Sequence, residues 1–246
     1  MDQADPVDLV YILGKGSRNQ NRELIFSLRS AAKFAHGLRK VFVVGEDPGF
    51  LSPLVRHVGV SETGPNKEYN IASKVLVACS ISEISDPFLC IHDDHIFNEP
   101  VHLPTYPFYH CGTLDRFIDL EPAKDYHYSL RDTARWLKAA NAPMYHFDVH
   151  TPFPVHKKIF SRLACAWLAS RESSHGFIVK SIYGNLGRIA LGPRIRDCKI
   201  KQLRGVGDVE GIIRGRDVFS FSDDGFRDGV DLFLQQRLPK KCPFES

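Results

Sequence analysis

Residues 8–13, Asp-Leu-Val-Tyr-Ile-Leu, are a short apolar run rich in β-branched and aromatic side chains, and the run stops at a glycine-containing loop, Gly14, Lys15, Gly16 and Ser17. Apolar side chains then recur at Leu24, Phe26, Leu28, Ala31, Ala32 and Ala35, close to helical spacing, and the segment 23–35 ends near Gly37. Residues 40–45 are a second apolar run. Strand, helix, strand in that order is the pattern of a parallel sheet, so the chain is expected to be an α/β protein.

The later segments extend the pattern. Residues 70–81 read as a helix and 88–92 as a third strand after Pro87, while the prolines of 100–107 predict an irregular loop or edge segments. A helix is expected over 129–140, with Trp136 and Leu137 towards the core, and a second over 157–170. Residues 145–150 alternate like a strand, 151–154 read as a rigid Pro-x-Pro turn, and 176–216 as short strands and glycine-rich loops. An amphipathic helix is expected over 229–237. No repeat or linker interrupts the 246 residues, and one domain is expected, with a nucleotide-binding part over 1–100 and an acceptor and catalytic part over 101–246.

Composition narrows the class. With 43% hydrophobic and 25% charged residues the chain has a globular balance. The start at Met1, Asp2 and Gln3 carries no signal-like segment, and no apolar run reaches the roughly 18–20 residues that span a bilayer, so membrane insertion and secretion are not expected. Six cysteines without a Cys-x-x-Cys pair fit a reducing cytoplasm. A net charge of +3 does not by itself recruit nucleic acid, although Lys199, Lys201, Arg204, Arg214 and Arg216 crowd one region that reads either as a solvated face or as a phosphate contact.

The strongest chemical signal is the acidic pair Asp93 and Asp94 directly after the third strand, because ligands of open α/β sheets collect at strand carboxyl ends. Two adjacent carboxylates repel unless a cation neutralises them, and Mg²⁺ or Mn²⁺ bridging carboxylates to substrate phosphates answers that need. Alternation should turn Asp93 and His95 one way and His92 and Asp94 the other. A second constellation is His146, Asp148 and His150 on one face of the expected strand, suited to proton transfer or, through His150, to a metal. Lys180 and Asn185, in Lys-Ser-Ile-Tyr-Gly-Asn, form a candidate phosphate or sugar clamp. The glycine loop lacks the spacing of a P-loop, which excludes that class of ATPase. Tyr11, Gly14 and Lys15 remain candidate donor-binding residues, with Arg18 and Arg29 within reach of a diphosphate.

The same residues carry a resemblance. Asp-Leu-Val-Tyr at 8–11, Glu-Leu-Ile-Phe-Ser-Leu-Arg-Ser at 23–30 and Arg-Lys-Val-Phe-Val-Val at 39–44 resemble the opening blocks of the Stealth family, which includes capsular polysaccharide and N-acetylglucosamine phosphotransferases. Residues 88–97 are similar to the family's block ending in Asn-Asp-Asp, with His92 in place of the asparagine, and His-Thr-Pro-Phe-Pro at 150–154 with Lys157 resembles its His-x-Pro block. The resemblance covers roughly residues 8–160. It implies a nucleotide-sugar transferase fold of type A, with Asp93 and Asp94 as metal and donor residues, His150 as a catalytic or metal residue, and a nucleotide-sugar donor such as a UDP-sugar. The compact form and the Pro-Lys-Lys-Cys-Pro-Phe-Glu tail are similar to short phage-encoded relatives, which implies a bacterial cytoplasm and an acceptor such as hydroxymethylated pyrimidine in DNA, or a glycan. Glycosyl transfer is the leading expectation. Sugar-1-phosphate transfer, metal-dependent phosphoester hydrolysis and non-catalytic nucleic-acid binding are the alternatives.

Overall fold

The computed structural model describes residues 5–15, 17–169, 175–203 and 207–246. Gly16 of the glycine loop and Arg204 of the basic region lie outside them. The apolar run at the start forms β1 (Val7–Leu13), buried throughout, and the chain continues through α1 (Arg22–Phe34), β2 (Ala35–His36), β3 (Leu38–Gly45) and β4 (Val55–Gly59). It then passes through α2 (Lys67–Ser80) and β5 (Phe88–Ile91). The sheet has five strands in the order β4-β3-β1-β5 and then β8 (Phe153–Val155), parallel except for β8. The chain therefore moves outwards from β1 to β3 and β4, then returns through α2 to lay β5 on the other flank of β1. The carboxyl ends of β1 and β5 are the point where that winding reverses, and a crevice opens there.

Strand alternation separates two cores. Leu9, Tyr11 and Leu13 face α1, where they meet Leu24, Leu28 and Ala31, while Val10 and Ile12 face Ala72, Val75 and Ala78 of α2. Each leucine buried in this way contributes about 1.5–3 kcal/mol. The second face is thickened by α3 (Asp125–Ala139), α4 (Lys157–Ala169) and α5 (Val179–Leu186). The result is an α/β fold with a mainly parallel sheet flanked by helices. At the end of the sheet away from the crevice, Asp8 is fully buried and accepts hydrogen bonds from Arg39 Nε at 2.9 Å and Ser85 N at 2.8 Å. At the crevice end Gly45 has φ 136°, and a Cβ there would lie 2.0 Å from the Leu13 carbonyl oxygen, so only glycine lets β3 close against β1 at this edge.

Beyond β5 the chain leaves the parallel sheet. His95 N donates to the His92 carbonyl at 3.2 Å, a turn with Asp93 and Asp94 at its centre, and β6 (His95–Phe97) and β7 (Val101–His102) follow. A second sheet joins β6 to two strands from the other end of the chain, β9 (Lys199–Ile200) and β10 (Val218–Phe221), in the order β6-β10-β9. Between and after them lie α6 (Gly207–Ile213), the single turn α7 (Asp223–Gly225), a π-type turn at Phe226–Val230 and α8 (Asp231–Arg237).

Several expected elements differ. Residues 145–150 form no ladder beyond an isolated bridge at Tyr145, residues 153–155 pair with β5 instead of making only a turn, and the expected strand at 176–183 is largely the helix α5. Helix α2 begins three residues earlier than its apolar periodicity suggests, because Asn66 caps it by accepting from Tyr69 N at 2.8 Å. Asn66→Ala should lower stability by about 1 kcal/mol, read from the midpoint of urea unfolding; an unchanged midpoint would show that the cap contributes nothing. Among the described residues no helix is long and apolar enough to cross a membrane.

Candidate active site

Two cavities meet above the tips of β1 and β5. The larger, about 870 Å³, is lined by His146, Asp148, His150, Asp197 and Lys180, with the start of α2 forming its far wall. The smaller, about 370 Å³, lies over Gly14, Lys15 and Ser17 and is lined on its inner side by Asp93 and Lys74. Lys67, His92, Asp94 and Lys199 line both, so they stand on the boundary.

The glycine loop is built by its own polar residues. Ser17 Oγ donates to Glu23 Oε2 at 3.0 Å and accepts from the backbone N of Asn19 and Asn21, and Gln20 and Asn21 both take φ 57°. Polar residues of this kind tolerate the left-handed region. From beneath, the buried ammonium of Lys74 donates to the Leu13 carbonyl at 2.8 Å and pairs with Glu62.

Asp94 owes its position to three strands. Register sets His95 of β6, Ser220 of β10 and Lys199 of β9 abreast. Asp94 Oδ2 accepts from Lys199 Nζ at 3.1 Å and from Ser220 Oγ at 2.9 Å, and its Oδ1 lies 3.6 Å from His95 Nε2. Helix α1 fixes β6 in turn: Ser27 Oγ donates to the His95 carbonyl at 2.5 Å, and Phe97 N donates to Ser30 Oγ at 3.0 Å. Burial acts to raise the Asp94 carboxyl, but the charge of Lys199 opposes it and helps hold it below the usual carboxylate range. Asp93 is the opposite case, pushed up to about 7 by burial and then by the charges of Asp94 and Glu23. Burial also keeps His92, pushed down to about 3, and His95 neutral.

His150 is held by a partner far away in the chain. Its backbone N donates to Asp197 Oδ1 at 2.9 Å, and its Nδ1 lies 2.9 Å from Asp197 Oδ2. With the proton on Nδ1, the tautomer this bond favours, Nε2 carries the lone pair. Burial works to raise Asp197, and the hydrogen bond with His150 overcomes it, so the carboxyl is lowered. Lys180, buried on α5, donates to the carbonyls of Val149 at 2.6 Å and Thr151 at 2.8 Å, one on each side of His150. Asp148 Oδ2 accepts from Tyr126 OH at 2.8 Å.

The sequence candidates thus divide. Asp94, Asp148, His150 and Lys180 share the larger cavity, while Gly14, Lys15 and Asp93 line the smaller. His146, Asp148 and His150 do share a side, although through an irregular segment and not a strand. Tyr11 is fully buried and its hydroxyl meets Ser27 Oγ at 3.1 Å, which makes it a support of β6. Arg29 makes a bidentate pair with Glu245 at 2.9 and 2.8 Å and anchors the chain's end, and Arg18 lies 3.8 Å from Asp223 on the surface. Asn185 is buried, bonding the Tyr145 backbone at 2.9 and 2.8 Å, so Lys180 and Asn185 brace the site and form no clamp. The expected alternation at Asp93 and Asp94 is replaced by the turn. Lys199, expected in a surface patch, is the ion-pair partner of Asp94. Asp197, Ser220, Lys67 and Lys74 were not picked out by sequence reasoning, because each reaches the site through non-local pairing or helix packing.

Among the described residues no three His, Cys, Asp or Glu side chains converge closely enough to hold a metal ion. His150, turned to the larger cavity and tied to Asp197, leaves the expected metal set. Of the acidic pair, Asp94 is already paired with Lys199, while Asp93 lines the smaller cavity.

Glu68, in the first turn of α2, is pushed up to about 7 by burial and then by Asp148, from an ordinary 4.5. The folded chain binds this proton more tightly than the unfolded chain, so the contribution to stability is present below pH 4.5 and is lost as pH rises through about 7. Glu68→Gln should therefore gain on the wild type in melting temperature across that interval. A difference independent of pH would exclude the assignment.

No family model matches the chain, and no curated protein matches it.

Proposed function

We propose that this chain is a nucleotide-sugar-dependent glycosyltransferase that moves a sugar from a nucleotide diphosphate donor, such as a UDP-sugar, to an acceptor hydroxyl. The supporting observation is the pair of cavities meeting at the switch point of the sheet, with Asp93, Asp94 and Lys15 among the residues on the side of the glycine loop and the His150–Asp197 pair on the other. In this reading the donor diphosphate occupies the smaller cavity and the acceptor enters the larger. A mainly parallel sheet flanked by helices supports this reading, in which the fold would be the type A fold that the resemblance implies.

Asp93 and Asp94 would hold Mg²⁺ or Mn²⁺, which when bound supplies charge neutralisation for the diphosphate. The chain's own groups do the rest. His150 Nε2 takes the proton of the acceptor hydroxyl while Asp197 stabilises the imidazolium that forms. The hydroxyl oxygen attacks the anomeric carbon, and the bond from that carbon to the diphosphate oxygen breaks with its electron pair leaving on the diphosphate. Lys67, on the boundary, offsets the charge that develops there. Exposed Arg194, Arg196 and Lys201, on the segment that carries Asp197 and Lys199, favour an acceptor borne on an anionic polymer such as modified DNA.

Incubation with nucleotide sugars and candidate acceptors tests the reading through the released nucleotide and the product mass. Release of nucleoside diphosphate with sugar added to the acceptor is expected. A nucleoside monophosphate, with an additional phosphate on the acceptor, would replace glycosyl by sugar-1-phosphate transfer, and hydrolysis without an acceptor would indicate a phosphoesterase.

A further inference from the structure

His146 lines the larger cavity and is 6% exposed, yet neither of its ring nitrogens has a hydrogen-bond partner among the described residues. Its backbone is well held: His146 N donates to the Gly112 carbonyl at 2.9 Å, and its carbonyl accepts from Cys111 N at 2.9 Å. The ring meets Phe117 edge-on with centroids 5.5 Å apart. A phenylalanine would satisfy that packing without two buried polar atoms. Orphaned groups of this kind are costly and are kept where something else requires them.

We infer that His146 selects the acceptor, making a hydrogen bond through one ring nitrogen to an uncharged polar group. The inference rests on the reading of the larger cavity as the acceptor side. A neutral imidazole offers one N–H and one lone pair, and burial favours that neutral form. The surroundings point the same way. Glu68, Asp125, Asp148 and Asp197 line this cavity together with Lys67 and Lys201, whereas Lys180 is committed to two carbonyls and Lys199 to Asp94. Those four carboxylates outnumber the two lysines, so an anionic acceptor would keep its charges outside. A sugar hydroxyl and the amide edge of a pyrimidine both offer such a group. Both nitrogens are screened by neighbouring groups, so meeting the ligand would require the ring to turn about its Cβ–Cγ bond.

The test uses the full chain with ¹⁵N-labelled histidine, titrated with methyl glycosides of common hexoses in one arm and thymidine in the other, beside a separate measurement of the melting-temperature shift caused by UDP with Mg²⁺. One arm is expected to move the His146 ring resonances and thereby identify the source. His146→Phe should be at least as stable as the wild type, since two orphaned atoms are gone, and should raise the acceptor KM about tenfold; His146→Gln, which keeps a donor and an acceptor, should recover part of that loss. If UDP shifts the melting temperature but neither arm moves the ring, the inference is overturned while the transferase reading stands. A less stable His146→Phe with the wild-type acceptor KM would mark the ring as core and overturn it too. No UDP effect, with an unmoved ring, would remove both.

Discussion

His150→Ala is expected to lower kcat by about 10²–10⁴-fold, the range for loss of a positioned general base, at a stability cost under about 1 kcal/mol. The ring is part-exposed in the larger cavity, and its one side-chain hydrogen bond among the described residues is to Asp197 at 2.9 Å, so little packing is lost. Asp197→Asn should approach the same loss by another route. An asparagine oxygen can still accept from the His150 backbone N, but its amide then faces Nδ1 as a donor. That reverses the tautomer and removes the lone pair from Nε2. In kcat/KM profiles against pH, the limb belonging to the base should disappear in His150→Ala. Wild-type turnover in either variant would exclude the pair from the chemistry.

Lys180→Met should couple a stability loss to an activity loss. The ammonium donates to the carbonyls of Val149 and Thr151, and charge-assisted bonds of this kind are worth about 1.5–3 kcal/mol each; because methionine needs no desolvated charge, the net cost is expected to be about 2–4 kcal/mol. Freed of that clamp, the backbone on both sides of His150 relaxes, and a displacement of about 1 Å at a catalytic group costs on the order of 10²-fold in rate. The discriminating readout is the pairing of effects: Lys180→Met should be both less stable and slower, whereas His150→Ala should be slower alone. A Lys180→Met variant that melts early yet turns over normally would show that the clamp does not position the histidine.

The parts of this architecture that could be read from the sequence are those with local periodicity. β1, α1, β3 and β5 follow from apolar runs and helical spacing, and the end of β5 marks the acidic pair because strand tips gather ligands. Helix α5 was hidden for a physical reason. With only eight residues, Val179–Leu186, it is too short for a helical period to stand out, and its β-branched and aromatic residues favour a strand. Gly184 in its middle looks like a turn. In the fold a Cβ there would lie 2.6 Å from the Phe147 ring, so the glycine marks a close approach. The segment around His150 shows the converse: its alternation set the facing of three side chains correctly, while its backbone is held by the side chains of Ser181, Asn185 and Asp197 in place of a neighbouring strand. Asp197 and Ser220 lie 47 and 126 positions from the residues they serve. No local pattern reports such partners, and only the register of β6, β10 and β9 brings them in.

That register also changes the argument for the acidic pair. Repulsion between Asp93 and Asp94 is answered in part by Lys199, a cation of the chain itself, which leaves Asp93 as the carboxylate most in need of one. The account stands on a diphosphate and its metal ion meeting these residues, and crystals grown with UDP and Mn²⁺ examine that directly through the anomalous signal of manganese. A manganese peak beside Asp93 and Asp94, with the diphosphate over Gly14 and Lys15, is the predicted result. UDP and manganese bound elsewhere, with the smaller cavity empty, would contradict it.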